Sequence, residues 1–195
     1  MTWKGHHGFK SHGDYFRRFV EQSTTANGIF GTKLFWGQYA AWTSDINRSL
    51  DEEYGRLEAV RKLVGPIRVV HLTREDRLRQ AISFVRARQS GIWSRQQGDA
   101  QSEATVSYDR RLIHETIEQL EWQDEQWRHE FAGVGIPVLG ITYEQLATDL
   151  TRVVRRVLAL LGVPPMPHTW EASSSLLRLS DDTTEEWVRR MQTAT

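Results

Sequence analysis

The sequence predicts an α/β domain with a parallel sheet that is flanked by helices. Short segments rich in β-branched and apolar residues, at 29–35, 67–72 and 136–141, read as strands. Amphipathic helical segments alternate with them, and parallel strands require such crossover connections. The length of 195 residues suits one domain. Three strands make a thin sheet for so many helices, so we expect the sheet to lack its first strand.

The ends of the helices are predicted from N-cap residues and from glycine and proline, which interrupt helices. Residues 1–13, rich in Gly, His and Lys, read as a disordered tail, and residues 14–195 as the domain. The predicted helices are, in chain order, 14–23, a helix from 36, 49–65, 73–96, 108–131, 143–161 and 184–191. Gly65-Pro66 ends the third of these helices. Thr73 is the expected N-cap of the fourth, with Asp76 in a capping-box role.

The composition excludes several classes of function. Lys+Arg and Asp+Glu are equal at 25 each, so binding to nucleic acid or to an anionic membrane through bulk charge is disfavoured. The absence of Cys removes disulfides, thiolate nucleophiles and cysteine metal sites. The sequence has no long apolar run and no secretory leader, which predicts a soluble, cytoplasmic protein. His6, His7 and His12 are read as tail residues, and no metal site is predicted.

The segment that follows the strand at 67–72 concentrates positive charge. Six arginines stand against two acidic residues between positions 74 and 95, namely Arg74, Arg77, Arg79, Arg86, Arg88 and Arg95 against Glu75 and Asp76. A strand that leads into a helix N-terminus presents free backbone N–H groups to anions, and the arginine fork suits phosphate oxygens. The strand–helix unit is therefore a candidate phosphate site.

Helical spacing places Arg79, Ser83 and Arg86 on one face of this helix. Arg74, nine residues before Ser83, can join that face only if it lies at the end of the strand and off the helix. The face is either a solvated basic surface or a phosphate site, and spacing alone leaves both open. No Walker loop, G-x-G-x-x-G or G-x-S-x-G motif accompanies it.

Asp124 interrupts the apolar stripe of the helix predicted over 108–131, between Leu120 and Trp127. Such a carboxylate is either buried with a partner or a sign that the helix face meets a pocket. We expect the partnered carboxylate, because a buried charge requires a counter-charge.

Six blocks of the sequence lie in order over about residues 15–191, and they are NGIFGTKLFW at 27–36, LTREDRLRQAIS at 72–83, YEQL at 143–146, LGV at 161–163, LRLSD at 177–181 and EW at 186–187. Together and in this order these blocks resemble the bacterial sulfotransferases typified by the trehalose 2-sulfotransferases, which depend on 3′-phosphoadenosine 5′-phosphosulfate (PAPS). The block at 72–83 is the most specific of them.

The resemblance implies a P-loop-like fold and transfer of a sulfuryl group from PAPS to a hydroxyl of a sugar or glycolipid. Arg74 and Ser83 match the family residues that bind the 3′-phosphate, and Arg178 matches one that approaches the same nucleotide. The resemblance is also compatible with a homodimer. It implies no metal and no nucleic-acid partner.

The sequence departs from the family pattern in the parts that carry the chemistry. The family's first strand, the loop that cradles the 5′-phosphosulfate and the glutamate proposed as general base are expected upstream of this chain. Asp14-Tyr15-Phe16 echoes the glutamate motif only superficially, and Phe35 stands where related animal enzymes have a catalytic histidine. No catalytic residue is therefore assigned. The alternatives are a non-catalytic nucleotide-binding remnant or partner subunit, and an unrelated P-loop-like kinase or interaction domain.

Overall fold

The computed structural model describes residues 12–50, 53–94, 105–133, 135–175 and 181–193. Within these ranges the elements are α1 (His12–Ser23), α2 (Trp36–Asn47), α3 (Arg56–Val64), β1 (Val69–Thr73), α4 (Arg77–Ser90), α5 (Arg110–Phe131), β2 (Val138–Thr142), α6 (Tyr143–Thr148), α7 (Leu150–Leu160) and α8 (Asp182–Thr193). Residues 1–11 of the predicted tail lie outside the described residues.

The sheet consists of β1 and β2, paired in parallel. The Val69 N–H donates to the Pro137 carbonyl over 3.0 Å where the pairing begins. Each strand starts two residues later than predicted, and helices flank the pair, which confirms a mixed α/β fold.

The strand predicted over 29–35 is not formed, so that prediction is wrong for this structure. A strand forms only when its backbone groups pair with a neighbouring strand, and here local partners take some of them. The Thr25 N–H donates to the Ile29 carbonyl over 2.9 Å in a turn. At the other end, the Phe35 N–H donates to Oε1 of Gln38 over 3.1 Å, which starts α2.

Two helices are shorter than predicted. α3 begins at Arg56 rather than at 49, and residues 51–52 lie outside the described residues. In α4 the N-cap is Asp76 and not Thr73, because the Asp76 side chain accepts from the Arg79 N–H over 2.9 Å. α4 ends at Ser90 because Gly91 adopts a left-handed φ of 73° that stops the helix.

The helix predicted over 143–161 is divided into α6 and α7 at Asp149. This residue has an extended φ of −147°, and its side chain accepts from the Arg152 N–H over 2.8 Å. Short polar side chains compete in this way for backbone donors, so Asp149 ends one helix and caps the next.

The chain folds as two compact units, Met1–Val69 with Gln126–Pro137 and Val70–Glu125 with Val138–Thr195. In the first unit, α1, α2 and α3 surround the buried Phe16, Ile46 and Val60, and a second apolar cluster is built on Trp36 and Tyr39. In the second unit α4, α5 and α8 supply one core, formed by Ala81, Ile82, Val85, Ile113, Trp187, Val188 and Met191.

One side of the sheet in the second unit is exposed and apolar. Side chains alternate across a strand, so Val70 and Leu72 of β1 share a face, and they are 42% and 53% exposed. Val138 of β2 is also exposed, at 39%. The sheet is therefore not covered on every side by the described residues.

Candidate functional site

The turn between β1 and α4 holds the most distinctive arginine of the predicted phosphate site. Arg74 follows the last residue of β1, Thr73, and precedes the N-cap Asp76 by two positions. It therefore lies at the end of the strand and off the helix, which is the position that the predicted site requires. Its side chain is 20% exposed.

Arg74 is held by a ring and a carboxylate. Its guanidinium carbon lies 4.5 Å from the centroid of the Tyr143 ring, at cation–π distance. Its Nε atom lies 3.9 Å from Oε1 of Glu144, which is too long for a hydrogen bond. That Nε is buried, and the side chain makes no hydrogen bond with a residue that the structure describes. Tyr143 and Glu144 thus hold Arg74 in place, and no described residue accepts a hydrogen bond from it.

Glu144 binds the backbone of the same turn. The Glu75 N–H donates to its Oε2 over 3.1 Å, and the Asp76 N–H donates to its Oε1 over 3.4 Å. Burial alone would raise the pKa of Glu144, but these backbone N–H groups and the charge of Arg74 together lower it below its ordinary value. Glu144 is therefore an anion at neutral pH, placed at the start of α4.

A capping box explains why Tyr143 and Glu144 lie here. The Gln145 N–H donates to Oγ1 of Thr142 over 3.2 Å, and the Thr142 N–H donates to Oε1 of Gln145 over 3.4 Å. α6 consequently starts at the residue after β2. Because β1 and β2 are parallel neighbours, the residues after both strands meet at the same edge of the sheet, where open α/β sheets bind ligands.

Ser83 lies further along α4. It is half-buried, six residues beyond the first helical residue Arg77, which corresponds to about 9 Å of helix rise. Its hydroxyl makes no hydrogen bond with a described residue, and none joins it to Arg74. The two residues thus belong to one strand–helix unit without touching.

The other two arginines of the predicted face are neutralised by acids near the start of α8. Arg79 forms an ion pair with Glu185 over 2.6 Å, and Arg86 binds both carboxylate oxygens of Asp181 over 2.6 Å each. The hydrogen bonds from Arg86 lower the pKa of Asp181, against the opposing effect of its burial. Both arginines are therefore paired through close hydrogen bonds and do not form a solvated surface, whereas Arg74 lies 3.9 Å from its carboxylate and donates no hydrogen bond to a described residue. The sequence could not reveal this pairing, since about a hundred residues separate the partners.

Two further predictions concern residues in the same unit. Arg178 lies outside the described residues, so its predicted approach to the nucleotide stays a prediction. Asp124 accepts a hydrogen bond from Arg77, and the two side chains are 19% and 23% exposed. The prediction of a partly buried, partnered carboxylate is confirmed.

In the first unit, the carboxylate of Glu130 also has several partners. Its Oε1 accepts from the Tyr39 hydroxyl over 2.9 Å and from the Leu57 N–H over 3.3 Å, and its Oε2 lies 3.3 Å from Arg56. Burial, reinforced by the Glu130 hydrogen bond, raises the pKa of Tyr39. Because Glu130 accepts from the backbone N–H of Leu57 at the start of α3, we assign this cluster to structure.

Across the described ranges, no group of three His, Asp or Glu side chains is placed to hold a metal ion. None of the described helices is both long enough and apolar enough to cross a membrane.

Comparison with known proteins tests the resemblance drawn from the sequence blocks. The family model of the Stf0 sulphotransferases matches residues 5–194. The trehalose 2-sulfotransferase of Mycolicibacterium smegmatis (strain ATCC 700084 / mc(2)155) is 34% identical over 169 residues, which is 85% of this chain and 61% of the relative. That of Mycobacterium tuberculosis (strain ATCC 35801 / TMC 107 / Erdman) is 33% identical over 168 residues, with the same two shares.

The chain thus spans about three fifths of the length of these relatives. The family match covers almost every residue, including both strands and the turn that carries Arg74. It confirms the resemblance, and this chain belongs to the Stf0 sulfotransferase family.

Proposed function

We propose that this chain is a sulfotransferase that binds PAPS at the turn between β1 and α4 and transfers its sulfuryl group to a carbohydrate hydroxyl, of which trehalose is the model. In this reaction the bond between sulfur and the bridging phosphate oxygen breaks, and a bond from sulfur to the acceptor oxygen forms. The acceptor proton goes to a base, and adenosine 3′,5′-bisphosphate leaves. Arg74 and Ser83 would hold the 3′-phosphate, and Arg178 would approach the same nucleotide.

The observation that carries the proposal is the position of Arg74 and the availability of its N–H groups. This arginine lies at the edge of the sheet where the residues after β1 and β2 meet, is 20% exposed, and makes no hydrogen bond with a described residue. A buried guanidinium with unused donors fits a phosphate ester, because charge-assisted hydrogen bonds from its fork would satisfy both groups. The α4 helix dipole adds a favourable field for an anion beside it.

Support for the reaction comes from the family and from the names of the relatives. Both relatives are trehalose 2-sulfotransferases, which makes a sugar hydroxyl the first acceptor to test. The chain spans 61% of the length of these relatives, so we propose their activity for this chain and do not carry it over from their names.

A non-catalytic nucleotide-binding protein, or a partner subunit, is the second candidate. It is favoured by Phe35, which is 55% exposed and stands where related animal enzymes have a catalytic histidine. Neither candidate assigns a general base to the described residues.

Calorimetric titration of the purified chain tests the binding step. We expect adenosine 3′,5′-bisphosphate to bind more tightly than adenosine 5′-monophosphate, since only the former carries the 3′-phosphate. Arg74→Ala should weaken bisphosphate binding by about 1.5–3 kcal/mol, the contribution of a charged hydrogen bond. Arg88→Ala is the matched control, because Arg88 is an exposed arginine of α4, the helix that follows the turn of Arg74.

Equal affinity for the two nucleotides in the folded wild type would contradict the proposed site. An Arg74→Ala variant that binds like the wild type would remove Arg74 from it. Incubation with PAPS and trehalose then separates the two candidates. Release of the bisphosphate with sulfation of the sugar supports the enzyme, and binding without turnover supports the non-catalytic protein.

A further inference from the structure

We propose that Glu144 is a positioning residue for the 3′-phosphate site, which fixes Arg74 without using its hydrogen-bond donors. This inference rests on the proposed function, because it specifies how the site reads a nucleoside 3′-phosphate. Glu144 itself would touch neither the nucleotide nor the sulfuryl group.

Glu144 holds the backbone of the turn that carries Arg74. Glu144 accepts hydrogen bonds from the N–H groups of Glu75 and Asp76, the two residues that directly follow Arg74. Asp76 in turn caps α4 through the Arg79 N–H. The direction in which Arg74 leaves the main chain is therefore set by a carboxylate 70 residues away, and not by the strand or the helix alone.

The charge of Glu144 also acts on Arg74. At 3.9 Å the carboxylate of Glu144 attracts the guanidinium electrostatically without forming a hydrogen bond. The Tyr143 ring faces the same guanidinium at 4.5 Å. Both neighbours restrict the side chain, and both leave its N–H groups available to a ligand.

An anion bound at this turn would be recognised by Arg74 rather than by the backbone. The backbone N–H groups of Glu75 and Asp76, which could donate to a phosphate, already donate to Glu144. The ligand must then be read by the arginine fork, which distinguishes a 3′-phosphate from a bare hydroxyl. In the opposite role, Glu144 would compete with the phosphate for the guanidinium of Arg74. The distances favour positioning, because Glu144 bonds to the backbone and not to Arg74.

The test compares the preference for adenosine 3′,5′-bisphosphate over adenosine 5′-monophosphate in four full-length proteins. These are the wild type, Glu144→Ala, Glu144→Gln and the control Glu115→Ala, which removes an exposed partner of Arg111. We expect Glu144→Ala to reduce the preference by roughly tenfold or more, as loss of one oriented hydrogen bond to the phosphate would. Affinity for the monophosphate should stay within about twofold in every variant, because no 3′-phosphate is involved.

Glu144→Gln keeps one oxygen that can accept from a turn N–H, so we expect it to recover part of the preference. It also carries the test if Glu144→Ala fails to fold. A variant pair that keeps the full wild-type preference would overturn the role of Glu144. Tighter binding of the bisphosphate by Glu144→Ala would overturn the positioning role and show that Glu144 competes with the phosphate for Arg74. An equal loss of affinity for both nucleotides would overturn it by showing that Glu144 only supports the structure. A wild type without any preference would overturn the proposed function itself, which is a different result from all of these.

Discussion

Arg77 and Asp124 illustrate how a single partly buried ion pair is maintained in the second unit. Arg77 donates to Asp124 and also to Oε1 of Gln80, over 2.7 Å for the latter bond. Both charged side chains are mostly buried, so each depends on the other for the interactions that water would otherwise supply. The pair joins the first turn of α4 to the middle of α5.

Asp124→Ala should therefore destabilise the protein. Arg77 would keep its bond to Gln80 but lose its counter-charge, and we expect the free energy of unfolding to fall by about 1–3 kcal/mol. Urea denaturation followed by tryptophan fluorescence measures this change. Arg77→Met combined with Asp124→Leu should recover most of the loss, because apolar residues of similar size leave no charge unpaired. A double variant as unstable as Asp124→Ala would show that the charges are not the cause.

Individual residues differ in how far the sequence predicts them. The partner of Asp124 was expected because a carboxylate in an apolar stripe needs one, although Arg77 itself could not be named. The spacing of Arg74 to Ser83 set only a condition, that Arg74 lie off the helix, and the N-cap expected at Thr73 did not meet it. The contacts of Glu144 with the turn were missed because residues separated by 68 and 69 positions leave no local pattern. The only local sign was the capping box that starts α6 after Thr142.

At the scale of elements, α8 is attached to α4 by charge as well as by its apolar face. Asp181 accepts from the Thr184 N–H over 3.0 Å, as an N-cap residue does, and holds the guanidinium of Arg86. Its pKa is lowered in the folded protein. The stabilisation from Asp181 is therefore complete above the ordinary aspartate pKa of about 3.9. It is lost as the pH falls through the lowered value, because protonation removes the charge that Arg86 requires.

Asp181→Asn should reproduce this loss at neutral pH, since asparagine can still cap the helix but carries no charge. We expect the amides of α8 to exchange faster in the variant at pH 7, and the difference from wild type to shrink as the pH falls below about 4. Hydrogen exchange read by mass spectrometry measures both effects. Asp182→Asn is the control, because this neighbouring aspartate is exposed and pairs with no described residue. A constant difference between Asp181→Asn and wild type at all pH values would contradict the assignment.

Elements follow from the sequence where the signal is local. The periodic stripe predicts α5, and glycine or proline predicts the ends of α3 and α7. The strand expected at 29–35 fails because strand formation depends on a distant partner that no local pattern supplies. The prediction of one helix over 143–161 fails for a local reason. The side chain of Asp149 ends α6 and caps α7, although the apolar period continues across it.

At the scale of the whole molecule, each of the two units has a core of its own. The family match runs through both units, and the sequence blocks that carried the resemblance are spread over both as well. The α/β class was predictable because β1, α4 and β2 lie in a regular alternation. The division into two units was not, because it depends on which helices share a core and not on any linker composition.

The exposed apolar side of the two-stranded sheet has a consequence for how the protein behaves in concentrated solution. Val70 and Leu72 project from β1 into water, and contiguous apolar surface of this kind attracts amphiphiles and other copies of the chain. Leu72→Thr retains a residue suited to a strand while reducing the apolar area. We expect it to lower the fluorescence of a bound anilinonaphthalene dye and to raise the concentration at which light scattering begins.

Leu161→Thr, at an exposed leucine outside the sheet, should change neither property, and equal effects of the two substitutions would contradict the role of the sheet. The concentration at which the purified chain stays clear would then be set by one face of one strand, and a single leucine-to-threonine exchange would be a practical means of raising it.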